Sequence, residues 1–408
     1  MAVVAAAISC NRTEIVYEDA VLFRNTETDT IPYRIPAIAL LQDGRLLALT
    51  DYRHCMSDIG YGRVDIHGRI ADKDGWSEPF VLIEGTGMSR AVDCGFGDAA
   101  MVVDRESGEI LVITVCGETV YGHPTTTRQN PNRVALLRSS DNGKTWDHWK
   151  EITEEVYGLF DAGVHGPVQS CFVTSGKIFQ SSRIKVGSHY RIYAALCARP
   201  NGNRVIFSDD FGRTWKALGG GDALAARAGD EAKCEELEDG SVVISSRIRG
   251  GRIFNVFTYS DVTDGAGEWA EPAFSGAENE GCAAVANACN GEILFMPAKR
   301  QDGGKVTLAL QSVPLGPERR AVGIYFKEID GIPQPAALAS NWSGPFRVTD
   351  KPSAYSTMIP LDDGSVAFYY EESADPWPRG YDMVFRVLDL KDITDGKYTP
   401  INRPIWKR

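Results

Sequence analysis

Ser139-Ser-Asp141-Asn-Gly143-Lys-Thr145-Trp146 and Ser208-Asp-Asp210-Phe-Gly212-Arg-Thr214-Trp215 are two copies of one eight-residue phrase, SxDxGxTW. Weaker copies stand at Ala71-Asp-Lys-Asp-Gly-Trp76 and at Ser260-Asp-Val-Thr-Asp-Gly-Ala-Gly-Glu-Trp269. The tryptophans fall 70, 69 and 54 residues apart. A unit of that size holds about four strands with their loops, which is one blade of a propeller. The phrase itself reads as a tight turn. Ser and Asp bond the local backbone, Gly takes positive φ, and Trp wedges between neighbouring sheets.

Working outward, the runs Ile35–Leu41, Arg45–Thr50, Ile110–Val115, Arg133–Leu137, Ser241–Ser246 and Val366–Tyr370 are β-branched or aromatic, with turn residues on either side. Long helical periodicity is almost absent, although a short helix is expected around Asp222–Ala228. A length of 408 residues suggests two or three ordinary domains. With no linker and no composition shift, the repeat turns that into an all-β chain, a six-bladed β-propeller over residues 17–408 after an N-terminal extension, 1–16.

Lys and Arg number 43 against 55 Asp and Glu, a net charge of -12. Such a surface argues against nucleic acid and anionic membrane as partners. No apolar run approaches the ~20 residues that span a bilayer, so no membrane insertion is expected. The first nine residues are apolar but lack a basic segment, which makes a poor signal peptide. Nine scattered cysteines include no CxxC pair and no zinc-finger spacing, so free buried thiols are expected.

Eight Asp-Gly steps occur, and three organise the polar residues. A three-residue hairpin loop ending in a left-handed glycine at Glu238-Asp-Gly240 pairs Leu237 with Ser241 and puts Glu231 opposite Arg247. The same rule at Asp362-Asp-Gly364 puts Tyr355 opposite Glu371, and at Gln42-Asp-Gly44 it leaves Arg34 and Arg53 at the far end. The Glu231–Arg247 and Tyr355–Glu371 pairs both lie six residues from their turns, roughly 20 Å along a strand. Singly, these are ordinary cross-strand ion pairs and hydrogen bonds. Together, in a ring of blades, they converge on the axis.

At these residues the sequence resembles the bacterial exo-α-sialidases (neuraminidases). Tyr33-Arg34-Ile35-Pro36 is similar to the family's Arg-Ile-Pro signature, and Asp51-Tyr-Arg53 to its Asp-x-Arg segment. The two intact Asp-boxes match as well. Glu231-Ala-Lys-Cys-Glu-Glu-Leu-Glu-Asp-Gly, running on to Arg247, resembles the family's Glu-then-Arg hairpin. Ala354-Tyr355-Ser356 and Phe368-Tyr-Tyr370-Glu371 resemble its C-terminal Tyr and Glu. The likeness runs from about Tyr17 to Trp406.

The resemblance implies a glycoside hydrolase that releases terminal α-linked sialic acid from oligosaccharides, glycoproteins or glycolipids with retention and without metal or cofactor. Arg34, Arg247 and a third arginine would clamp the substrate carboxylate, with Glu371 orienting Arg34. Tyr355 would be the nucleophile and Glu231 its base. Asp58 would be the general acid/base, with Asp65 as the competing choice. Arg53 and Asp98 would hold the sugar's 4-hydroxyl, although Asp98 reads equally as a turn-capping carboxylate. The third arginine is expected at Arg300, with Lys305 as the alternative. The resemblance favours a secreted or periplasmic location, although no clear signal peptide stands in this chain. A catalytically silent sialic-acid-binding propeller, or a trans-sialidase acting between or within molecules, are the other readings of the same residues.

Overall fold

The computed structural model describes residues 15–25, 31–200, 202–373 and 380–402. Six sheets, antiparallel but for one short strand, follow one another around a ring. The first is built on Tyr33–Leu40, Leu46–Tyr52, Asp65–Asp72 and Gly75–Trp76, and the second on Phe96–Val103, Ile110–Cys116, Arg133–Ser139 and Lys150–Glu151. The third uses Ser170–Val173, His189–Arg199, Gly202–Ser208 and Lys216–Ala217. The fourth uses Ala232–Glu236, Val242–Ile248, Gly251–Asp261 and Ala266–Trp269. The fifth uses Ile293–Arg300, Lys305–Pro314, Val322–Ile329 and Ser343–Arg347. The sixth is assembled from both ends of the chain. Ser353–Pro360, Val366–Glu372 and Asp382–Leu388 are completed on the outside by Ala20–Phe23. That last pairing closes the ring, and it makes a six-bladed β-propeller. The expected extension, 1–16, lies almost wholly outside the described residues.

Why these strands read as near-continuous apolar runs follows from the ring. A blade is covered on both faces by its neighbours, so alternation is lost. Ile110–Cys116 is buried at every position and Tyr33–Leu40 at all but the last. Six apolar clusters fill the six spaces between successive blades. Each fully buried Leu, Ile, Val or Phe there contributes about 1.5–3 kcal/mol. Trp146 packs into the cluster between the first two blades and Trp215 into the next, so the repeat spacing is the blade spacing. The eight described cysteines are all free, and seven of them are buried.

The Asp-boxes are structural turns. Asp210 Oδ1 accepts from Ser208 Oγ (2.7 Å), Arg213 N (3.0 Å) and Thr214 N (2.8 Å), while Oδ2 accepts from Thr214 Oγ1 at 2.6 Å. Asp141 repeats this pattern with Ser139, Lys144 and Thr145.

Asp222–Ala228 is not a helix. Ala225 N donates to Asn203 O and Asn203 N to Ala226 O, so the backbone bonds a neighbouring strand instead of its own preceding turn. Among the described residues the α-helices are Thr153–Tyr157, Pro335–Ala339 and Leu390–Ile393, with a 3-10 turn at Ala277–Asn279.

The axis is closed by charge. Gly176–Lys177 leaves the third blade to pair in parallel with Ala100–Met101 of the second. This carries Lys177 to Glu235 and Glu292, and Lys233 lies against the other Glu292 oxygen at 3.7 Å. At the hairpin-turn end of the ring a cavity of about 750 Å³ opens, lined by Leu40, Glu238, Pro360, Arg300 and Lys305 among others.

Candidate active site

The three hairpins follow the expected register. Leu41, Leu237 and Leu361 each donate to the carbonyl four residues on, and Gly44, Gly240 and Gly364 take φ of 91°, 91° and 83°. Counting outward, Arg247 N donates to Glu231 O at 2.7 Å. Ser356 pairs with Tyr370 immediately before Tyr355, and Arg34 pairs with Asp51.

At that far end the inner strands of three blades slip register. The breaks fall between Arg34 and Ala37, between Gly97 and Ala100, and between Ser353 and Ser356. A bulge bends a strand and re-aims its side chains. Ile35 and Asp98 sit in these bulges at φ of 61° and 54°. Such backbone costs ~1–3 kcal/mol in a non-glycine residue and persists only where its surroundings impose it.

Glu371 imposes it at the first bulge. Its fully buried carboxylate accepts from Arg34 Nε (2.7 Å) and Ile35 N (2.8 Å) on Oε1, and from Tyr355 N (3.0 Å) and Arg34 Nη2 (3.4 Å) on Oε2. One carboxylate thus fixes an arginine and the backbone of the tyrosine. The Arg34 Cζ stands 5.6 Å from the Tyr355 ring centroid and 5.2 Å from that of Tyr381.

The tyrosine's other end completes a triangle. Tyr355 Oη donates to Glu231 Oε2 at 3.0 Å, and Arg247 Nη1 donates to the same carboxylate oxygen at 2.6 Å and to Tyr355 Oη at 3.2 Å. Burial pushes the Glu231 carboxyl up, partly offset by Arg247. Burial and the Glu231 charge hold the Tyr355 phenol well above its usual range. The phenol is therefore neutral at rest and hydrogen-bonded to a base.

A second group gathers around Arg53. Its guanidinium meets Asp51 Oδ2 at 2.9 Å, Asp58 Oδ1 at 2.8 Å and Asp98 Oδ1 at 3.7 Å. Burial would raise Asp58, but Arg53, the Ile59 N–H and Arg34 outweigh it and hold its carboxyl below the usual range. Burial and the charges of Asp51 and Asp58 push Asp98 well up. Burial brings Asp51 up to about 6. Asp65, the competing choice, is buried against Arg63, His54 and Gly85 N, away from Arg53.

Arg300 and Lys305 are not brought to this group. Arg300 borders the Asp302-Gly303 turn, pairs with Glu328 at 2.7 Å and lines the cavity at the opposite end of the ring. Lys305 lines it as well, across the same turn. The arginine that does arrive is Arg319, from the loop after the strand Lys305–Pro314. Its Cζ lies 5.6 Å from the Tyr355 ring centroid, and it donates to Asn287 O and Oδ1, both at 3.3 Å. It has no carboxylate partner among the described residues. Arg320 turns away, to Asp350 O. Turn counting carried the signal: the end of a hairpin beside Asp-Gly is the wrong end for the site.

Three guanidiniums stand around one buried tyrosine, and that of Arg319, with no carboxylate partner among the described residues, is placed to receive an anion. A propeller that presents this group at one end is of the sialidase type. The chain belongs to the family described as BNR repeat-like domain, which it matches over residues 60–368. It is 33% identical over 226 residues to a sialidase of Micromonospora viridifaciens, covering 53% of this chain and 32% of that one. It is 26% identical to Sialidase-3 of Mus musculus (72% and 71% covered) and 23% identical to a sialidase of Bacteroides fragilis (90% and 64% covered). The chain thus spans about a third of the Micromonospora relative and less than two thirds of the Bacteroides one. Among solved structures, the Hadza microbial sialidase Hz136 superposes with TM-score 0.69 at 21% identity, covering 92% of this chain and 69% of that one. The intramolecular trans-sialidase from Ruminococcus gnavus gives 0.68 at 15%, covering 93% and 98%.

Proposed function

We propose that the chain is a retaining exo-α-sialidase acting on terminal α-linked sialic acids of oligosaccharides, glycoproteins or glycolipids. The observation that carries this reading is the Tyr355–Glu231–Arg247 triangle, because a protein that only bound the anion would need the arginines but not a tyrosine hydrogen-bonded to a buried base. Arg34, Arg247 and Arg319 receive the substrate carboxylate through charge-assisted bonds, and Glu371 orients Arg34. A carboxylate nucleophile would be repelled by the carboxylate that the anomeric carbon carries. Neutral Tyr355 is not. As its oxygen bonds the anomeric carbon, its proton passes to Glu231 Oε2. The bond to the glycosidic oxygen breaks, and that oxygen takes the proton of Asp58. Water then attacks the glycosyl-tyrosine, giving its proton to Asp58, while the phenolate regains the proton held by Glu231. Arg53 and Asp98 hold the 4-hydroxyl.

The test is release of a chromogenic leaving group from its α-sialoside, with the product followed by proton NMR. Appearance of the α-anomer first is the expected result. Binding without turnover would leave a sialic-acid-binding propeller, and an anhydro product or a new sialoside would make the enzyme a trans-sialidase.

A further inference from the structure

Asp51 stands to Arg53 as Glu371 stands to Arg34. Its carboxylate is fully buried, and each oxygen has a separate task. Oδ2 accepts from Arg53 Nη2 at 2.9 Å and Nε at 3.2 Å. Oδ1 accepts from the backbone N–H of Asp98 at 2.9 Å. Asp98 is the left-handed residue of the second blade's bulge, as Ile35 is of the first. In both places one buried carboxylate grips an arginine fork and the N–H of a strained, re-aimed inner-strand residue. The approach is close: a Cβ on Gly97 would stand 3.0 Å from Asp51 Oδ2, so glycine there leaves the carboxylate room. The strand pairing also places Asp51 directly opposite Arg34, between the two arginine groups.

From this geometry we propose that Asp51 is a positioning residue for substrate recognition, which fixes the Arg53 fork and the Asp98 carboxyl as one unit facing the sugar's 4-hydroxyl. The proposal rests on the sialidase reading above. Without Asp51, the Arg53 fork loses the acceptor that sets its plane, and what remains is the exposed loop carboxylate of Asp58, Ser57 O at 3.4 Å and the more distant Asp98 carboxyl. The Asp98 N–H loses the acceptor that offsets its backbone conformation.

The experiment measures dissociation constants of two unsaturated sialic-acid analogues, one bearing the 4-hydroxyl and one 4-deoxy, for the wild type and for Asp51→Asn. Asparagine retains one acceptor oxygen, so the variant cannot serve both Arg53 and the Asp98 N–H. The expected result is a roughly ten- to hundred-fold weaker affinity for the 4-hydroxy analogue, with the 4-deoxy analogue changed less than about threefold. Gly97→Ala, which crowds the same carboxylate, should shift the preference in the same direction by a smaller factor and serves if Asp51→Asn does not fold. Equal weakening for both analogues, or an undiminished preference for the 4-hydroxyl, overturns the proposal. Wild-type protein that binds neither analogue overturns the sialidase reading instead.

Discussion

Arg53 Nη1 lies 2.8 Å from Asp58 Oδ1, on a loop where the Asp58 side chain is 64% exposed. The residue proposed as general acid is thus held ionised by Arg53, the Ile59 N–H and Arg34. An acid must begin protonated. Substrate therefore has to cover Asp58 and draw Arg53 onto the sugar before the proton can be kept.

The first prediction follows from that sign. In the free enzyme Asp58 titrates below the ordinary range, so kcat/KM declines with rising pH from the acid side, whereas the corresponding limb of kcat lies higher. Arg53→Met should raise the limb of kcat/KM toward that of kcat, whatever it does to KM. Rate profiles from about pH 3.5 to 8 check both. Coincident limbs in the wild type would remove Arg53 from control of Asp58.

Tyr355→Phe removes the hydroxyl proposed as the nucleophile but keeps the ring against Arg34 and Arg319. Glu231→Gln removes the carboxylate proposed as the base but keeps its shape. Each should lower kcat by roughly 10²–10⁴. For the phenylalanine variant, affinity for an unsaturated analogue should change less than about threefold. Single-turnover rates with the chromogenic sialoside, beside titration of the analogue, separate the two quantities. An unchanged kcat for Tyr355→Phe would take the nucleophile role from this residue.

The third arginine is decided by a pair of substitutions. Arg319→Lys should raise KM about tenfold through loss of the planar fork, and Arg300→Lys should leave it unchanged. Arg300 is bound to Glu328 at the turn end and belongs to the other cavity. The reverse result would mean that Arg300 reaches the site in solution.

Much of this was legible in the sequence because hairpin arithmetic is local. Turn type sets register, and register sets which residues share an end, so Glu231 beside Arg247 and Tyr355 beside Glu371 needed no tertiary information. Arg300 borders its own Asp302-Gly303 turn, and turn counting puts it at the end of its hairpin away from the site. Arg319 stands at the tip of the hairpin joining Lys305–Pro314 to Val322–Ile329, which carries no Asp-Gly step to mark its turn. The bulges at Ile35 and Asp98 were hidden for another reason: the buried carboxylates that sustain them come from other strands. The expected helix at Asp222–Ala228 failed because Asn203, distant in sequence, takes its hydrogen bonds.

The Asp-boxes offer a control far from the chemistry. Asp210→Ala deletes an acceptor of two backbone N–H groups and two hydroxyls, and should cost roughly 1–3 kcal/mol of stability. Because this turn serves blade geometry alone, kcat/KM should stay within about twofold. A shifted urea midpoint with unchanged kinetics is the expected pair of observations. Lost activity in folded protein would contradict the structural reading of the repeat.

Asp51 gives a pH signature in stability that is independent of any substrate. Burial, only partly countered by Arg53, brings its carboxyl from 3.8 up to about 6. Between those values the folded chain binds more protons at this residue than the unfolded chain does. The contribution of Asp51 to stability is therefore fully present below about pH 4 and is lost as pH rises through about 6. Asparagine cannot ionise and carries no such dependence. The stability of Asp51→Asn relative to wild type should consequently improve between pH 4 and pH 7, by roughly 3 kcal/mol at most. Urea midpoints of both proteins at the two pH values check this, and the comparison cancels every other titrating group they share. A constant difference would mean that Asp51 ionises in the fold as readily as it does in water, with Arg53 fully offsetting its burial.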